Sequence, residues 1–142
     1  MLQKIIHTDS SATTILIRMM VGTVFLSEGI QKFLFANALG VGRFTKIGFA
    51  NPEFWANFTG FFEIVCGCLI LLGFLTRLSS VPLLIIMIVA FITTKYPILI
   101  GKGFWAMAHD YRTDFAMTLG NIFLIIKGGG KWSLDKKLIR KE

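Results

Sequence analysis

The chain has 142 residues, of which 54% are hydrophobic and 16% charged, with a net charge of +7. Soluble domains average about 25% charged and about 45–50% apolar residues, so the composition excludes an ordinary soluble domain and points to a single domain that either hides in a large assembly or sits in lipid. The positive charge gathers between apolar blocks and in the C-terminal tail, as membrane topology requires, whereas a nucleic-acid binder would present a soluble basic face.

Residues 1–11 form a polar leader that lacks the apolar core and small-residue cleavage site of a secretory signal. Ser10 or Ser11 is placed to cap a first helix predicted over about residues 12–35. Arg18, Gly22, Phe25, Gly29 and Lys32 fall on one stripe of that helix, with Glu28 at its edge. Small residues and charges on one stripe face other helices rather than lipid. A glycine-containing loop follows and closes in Asn51-Pro52-Glu53, an N-cap, a first-turn proline and a first-turn acid.

The second predicted helix covers about residues 54–75 and is nearly all apolar, yet it carries Glu63 between Gly60 and Gly67. A carboxylate at that depth costs about 3 kcal/mol or more unless it is paired, protonated or wetted. Cys66 and Cys68 lie two apart and point to different faces, so they read as two small buried residues rather than a disulfide or a metal pair. The third helix is predicted over about residues 79–95, with Pro82 in its first turn and Lys95-Tyr96-Pro97 at its end. It is short for the roughly 20 residues a bilayer asks for, so it is open to extension.

Residues 98–109 are apolar and aromatic but too short to span, which predicts a short interfacial or re-entrant piece between the third and fourth helices. The fourth helix is predicted over about residues 110–126. Asp110, Asp114, Thr118 and Asn121 share one of its faces, and Arg112 lies beside them. Three glycines, Gly128 to Gly130, end it. Trp132 is placed as an interfacial anchor, and Ser133 caps a final turn in a tail with six basic residues. The bias of Lys and Arg puts both termini in the cytoplasm.

The expected fold is therefore an all-α membrane protein: one domain, residues 1–142, forming a four-helix transmembrane bundle in a bacterial inner membrane. Helix rise puts Glu28 about 20 Å and Glu63 about 18 Å above the cytoplasmic side, so the two acids come out level. With Lys32, Arg112 and Asp114 nearby, this predicts one outward-facing polar pocket, roofed by residues 98–109. Glu63, Glu28, Lys32, His109, Arg112, Asp114 and Asn121 are the candidate ligand-binding or proton-handling residues. Structural alternatives stand beside this reading. Glu28 and Lys32 have the spacing and order of a local ion pair, Glu63 can bond a neighbouring helix, and His109 can bond the adjacent Asp110. No metal-ligand constellation, phosphate loop, dinucleotide motif or self-contained catalytic motif is visible.

Three motifs in order resemble the DoxX family of small bacterial membrane proteins. RMMVGTVFLSEGIQKF carries Arg18, Gly22, Gly29 and Lys32. GFFEIVCGCLILLGFLTRLSS carries Glu63, Gly67, Gly73, Thr76 and Arg77. GGGKWSLD carries Gly128, Gly130, Ser133, Leu134 and Asp135. Glu28 is outside the family pattern, and its candidacy rests on position alone. The resemblance implies a four-helix inner-membrane bundle; some members are linked to thiosulfate:quinone oxidoreductase or terminal oxidase complexes. The leading expectation is an integral membrane subunit of a redox system that binds a quinone or another small hydrophobic molecule, with no covalent cofactor and with a partner subunit carrying the electron cofactor. A small proton-coupled transporter and a non-catalytic scaffold or assembly factor are the alternatives. Besides the lipid bilayer, a homo-oligomer is open as a partner, since glycine stripes serve dimers and intramolecular packing equally.

Overall fold

The computed structural model describes residues 6–139. It is all-helical among the described residues: α1 (Thr14–Leu34), α2 (Val41–Ile47), α3 (Pro52–Leu72), α4 (Thr76–Ala90), a π-helical turn (Phe91–Lys95), α5 (Tyr96–Lys102), α6 (Phe104–Lys127) and α7 (Leu134–Ile139). Lys4, Arg140 and Lys141, which enter the charge bias above, lie outside the described residues. Three stretches are long and apolar enough to cross a membrane: Thr14–Leu34, Pro52–Leu72 and the continuous Thr76–Lys102.

The core draws on every long helix. Val21 and Phe25 from α1, Cys66 and Ile70 from α3, Leu83 from α4, and Met117 and Leu124 from α6 form one buried cluster. The outward faces are apolar too: Leu16, Phe61, Ile85, Ile92 and Ile126 are all more than half exposed. A row of such residues facing outward suits lipid rather than water. Cys66 and Cys68 are free thiols.

The glycine stripes join α1 to α3 within the chain. A Cβ on Gly29 would stand 2.8 Å from the carbonyl of Gly60, and one on Gly67 would stand 2.9 Å from the amide of Leu26. The two backbones approach this closely because neither side carries a side chain at the crossing.

Several helix ends differ from expectation. Thr13, not Ser10 or Ser11, precedes α1, and its side chain makes no capping bond. Asn51 and Pro52 do open α3, with Asn51 in the left-handed region at φ 56°. α3 stops at Leu72 because Gly73, at φ 68°, turns the chain. α4 then starts at Thr76, so Pro82 lies in the helix interior rather than in its first turn.

The helix also continues through Pro97 instead of ending there. A proline ring clashes with the carbonyl four residues before it in a regular α-helix. The π-helical turn at Phe91–Lys95 widens the helix at that point, and Pro97 falls in the first turn of α5. Thr93 and Thr94 hydroxyls donate to the carbonyls of Val89 (2.8 Å) and Ala90 (2.5 Å) and support the altered register. Residues 98–109 are consequently not a separate piece. They are the end of α5 and the start of α6, divided at Gly103 with φ 86°.

The tail folds back to lock the α3–α4 turn. Buried Arg18 donates to the carbonyls of Ile70 (2.8 Å), Leu71 (2.5 Å), Gly129 (3.2 Å) and Trp132 (2.6 Å). It thereby satisfies carbonyls at the end of α3, where the helix dipole favours a cation. Asp135 accepts the amides of Leu75 (2.8 Å) and Thr76 (3.0 Å) at the start of α4. Ser133 caps α7 through the Lys136 amide at 3.2 Å, as its place in the tail predicts.

Candidate functional site

At the end of the molecule opposite that lock, the C-terminus of α1, the start of α3, the C-terminal half of α4 and the start of α6 surround a cavity of about 720 Å³. Its walls are largely apolar, with Phe25, Trp55, Phe58, Met87 and Met117 among them. Its roof is α2 and the strand of chain after it, which contribute Arg43, Phe44, Ile47 and Phe49. The roof expected from residues 98–109 is therefore supplied by the first loop. That loop is long enough to hold a helix of its own, while 98–109 is taken up by α5 and α6. A shallower groove of about 710 Å³ lies outside α3, over Pro52, Phe54 and Phe61.

Of the predicted candidates, Glu28, Lys32, Glu63 and Asp114 all line the cavity. Lys32 reaches across from α1 to α3, with Nζ 2.7 Å from Glu63 Oε2 and both side chains nearly out of contact with solvent. The alternative local pair does not form: the partner of Lys32 is Glu63 rather than Glu28. The reason lies in the glycine crossing, which brings the α3 backbone close enough for a lysine to span the gap.

The other candidates are elsewhere. His109 and Arg112 are exposed and bond each other, with Arg112 Nη1 2.9 Å from His109 Nε2. Asn121 is fully buried below the cavity. Its amide nitrogen donates to the Met117 carbonyl at 3.0 Å, and its Oδ1 has no protein partner.

Three charged residues of the cavity were not among those candidates: Arg43, Lys95 and Asp110. Lys95 is buried, with Nζ 2.6 Å from Asp110 Oδ2 and 3.2 Å from Asp114 Oδ2. In the sequence it looks like the polar exit of a helix that ends at Pro97. The shortness of that predicted helix was the available signal, since extending it draws Lys95 inward. Arg43 carried no signal, because nothing local tells a loop arginine that roofs a cavity from one in water.

Electrostatically, the cavity holds two centres. Glu63 and Lys32, with Glu28 and Arg43, form one between α1, α2 and α3. Lys95, Asp110 and Asp114 form the other between α4 and α6. An apolar chamber of this size with a few convergent polar groups has the properties of a small-molecule site, for which volumes of about 300–1,000 Å³ are usual. No group of three or more His, Cys, Asp or Glu placed to hold a metal ion occurs among the described residues.

The family model described as DoxX matches residues 13–96. The chain is 49% identical over 144 residues to the uncharacterized membrane protein Rv3486 of Mycobacterium tuberculosis, a match that covers 97% of this chain and 88% of that protein. No solved structure matches.

Proposed function

The chain belongs to the DoxX family, and on that premise we propose that this membrane protein is a subunit of a redox system that holds a quinone or similar small apolar molecule in its cavity. The observation that carries the reading is the Lys32–Glu63 ion pair, 2.7 Å long, set in an apolar chamber of about 720 Å³. An intramembrane ion pair is costly to maintain and usually marks function. The residues fit such a ligand: Phe44, Phe49, Trp55 and Phe58 offer flat apolar walls, and Lys32 offers donors to an oxygen.

In this reading α6 is the fourth crossing, in a four-helix bundle with both termini in the cytoplasm and the cavity in the outer half of a bacterial inner membrane. Support comes from Phe115, Leu119, Ile122 and Ile126, which are exposed along α6, and from Lys95, which pairs with both acids of its N-terminal half. A bound quinone supplies two-electron, two-proton chemistry. The chain's own part is to orient the head with Lys32, to exclude water with the aromatic walls, and to hold or move protons at the Glu63 and Glu28 carboxyls. A partner subunit carries the electron cofactor.

The test is extraction of the purified protein from native membranes, with mass spectrometry of the extract. Quinone at near one per chain, depleted in Glu63→Gln, is the expected result. An extract without quinone, and no binding of added quinone, would sink the reading. Proton-dependent uptake into liposomes that is lost in Glu63→Gln would put a small transporter in its place.

A further inference from the structure

The charged groups around the cavity differ in how fully the protein itself employs them. A lysine ammonium has three protons to donate. Those of Lys95 have three acceptors: Asp110 Oδ2 at 2.6 Å, the Asp110 carbonyl at 3.3 Å and Asp114 Oδ2 at 3.2 Å. Lys95 is saturated and ties the π-helical turn to α6. Lys32 has one charged partner, Glu63 Oε2 at 2.7 Å, in an ion pair without hydrogen-bond alignment, and so keeps donors for the cavity. Arg43, with five N–H donors, has no side-chain hydrogen bond or ion pair among the described residues.

The Arg43 backbone is also held in place. Its amide donates to the Gly40 carbonyl at 3.0 Å, and the Gly42 amide donates to the Ala36 carbonyl at 3.0 Å. Gly42 packs against Asn37 so closely that a Cβ there would collide with the Asn37 carbonyl. The backbone at the start of the roof is therefore fixed, and the exposed Arg43 side chain lines the cavity from it.

This end of the cavity is balanced in charge. With both carboxyls ionised, Lys32 and Arg43 set two positive charges against the two negative ones of Glu28 and Glu63, while the centre between α4 and α6 sets Lys95 against Asp110 and Asp114. An ionised head would leave one charge unmatched between apolar walls, which is costly. A neutral head with acceptor oxygens would not, and it would engage the donors of Lys32 and Arg43. We propose that the cavity selects an uncharged head bearing hydrogen-bond-accepting oxygens, and that Arg43 on the roof is the specificity-determining contact to that head beside Lys32. The proposal rests on the reading of the cavity as a site for a small apolar molecule.

The test uses the full chain in nanodiscs with Trp105→Phe and Trp132→Phe, which leaves Trp55 in the cavity wall as the reporter. The probes are an uncharged 1,4-naphthoquinone and the same ring carrying a sulfonate. The uncharged ring quenches Trp55 saturably, and the sulfonated ring binds about tenfold or more weakly. Arg43→Gln raises the Kd of the uncharged ring about tenfold or more, the scale of a lost hydrogen bond from a charged donor. Arg43→Lys, which keeps the charge without the planar fork, gives an intermediate Kd, and it carries the test if Arg43→Gln does not fold. Lys46→Gln, exposed on the same helix and outside the cavity lining, leaves the Kd unchanged. Unchanged binding in both Arg43 variants, or tighter binding of the sulfonated ring, would overturn the proposal while the cavity reading stands. If neither probe binds the parent protein, the cavity reading falls and this inference falls with it.

Discussion

Lys32 on α1 and Glu63 on α3 meet with Nζ and Oε2 2.7 Å apart, and the contact binds two helices where a local pair with Glu28 would have bound one turn. Such a pair is weak as a source of stability but strong as a constraint. Removing one partner leaves a buried charge without a counterion, at a cost of about 3–5 kcal/mol. We therefore expect Lys32→Met to lower the thermal unfolding midpoint in detergent sharply, and Lys32→Met combined with Glu63→Met to recover most of the loss. A double variant as unstable as the single one would show that the pair holds the fold together by more than its charges.

The α1–α3 crossing predicts a graded response to added volume. Gly67→Val places atoms against the Leu26 backbone, where a Cβ already stands 2.9 Å from the amide. Overpacking of this kind costs about 1–3 kcal/mol. Gly101→Ala, with nothing within 4 Å of the new Cβ, should instead be neutral or stabilising by up to about 1 kcal/mol, through helix propensity. The two midpoints measured side by side check this, and equal effects would contradict the close crossing.

Asp135 caps α4 from a distance in sequence, accepting the amides of Leu75 and Thr76. Asp135→Ala should cost about 0.5–2 kcal/mol, the range for a lost helix cap. Hydrogen exchange should localise the effect, with faster exchange at Leu75 and Thr76 than at the centre of α4. Uniform exchange along α4 would argue against a capping role.

The N-terminal segment should respond to acid. The Lys127 ammonium, 3.2 Å from Asp9 Oδ2, and then the Ser10 amide, which donates to Asp9 Oδ1, hold the Asp9 carboxyl below the ordinary value of 3.8. A carboxyl lowered by folding contributes stability that is present above its unfolded pKa and lost as pH falls through the lower folded value. Docking of the segment, where the Asp9 amide donates to the Lys127 carbonyl at 2.9 Å, should therefore loosen below about pH 4. Protection factors of the Asp9 amide and of the Gly130 amide, which donates to Thr8 Oγ1 at 2.5 Å, measure it. The pH dependence should vanish in Asp9→Asn, and its persistence there would assign the loosening to another group.

Much of this protein was legible in its sequence. Composition and apolar run length point to lipid, because bilayers demand long apolar helices. Periodicity put Arg18, Gly22, Phe25 and Gly29 on one inward face, and all four are buried. The same reasoning turned Glu63 inward, because an unpaired carboxylate cannot face hydrocarbon. Only the tertiary structure decided the partners. That Lys32 answers Glu63, that Lys95 is drawn inside past a π-helical turn, and that α2 roofs the cavity with Arg43 all depend on how helices distant in sequence cross. Local propensity reports which face turns inward, but not which side chain of another helix will be waiting there.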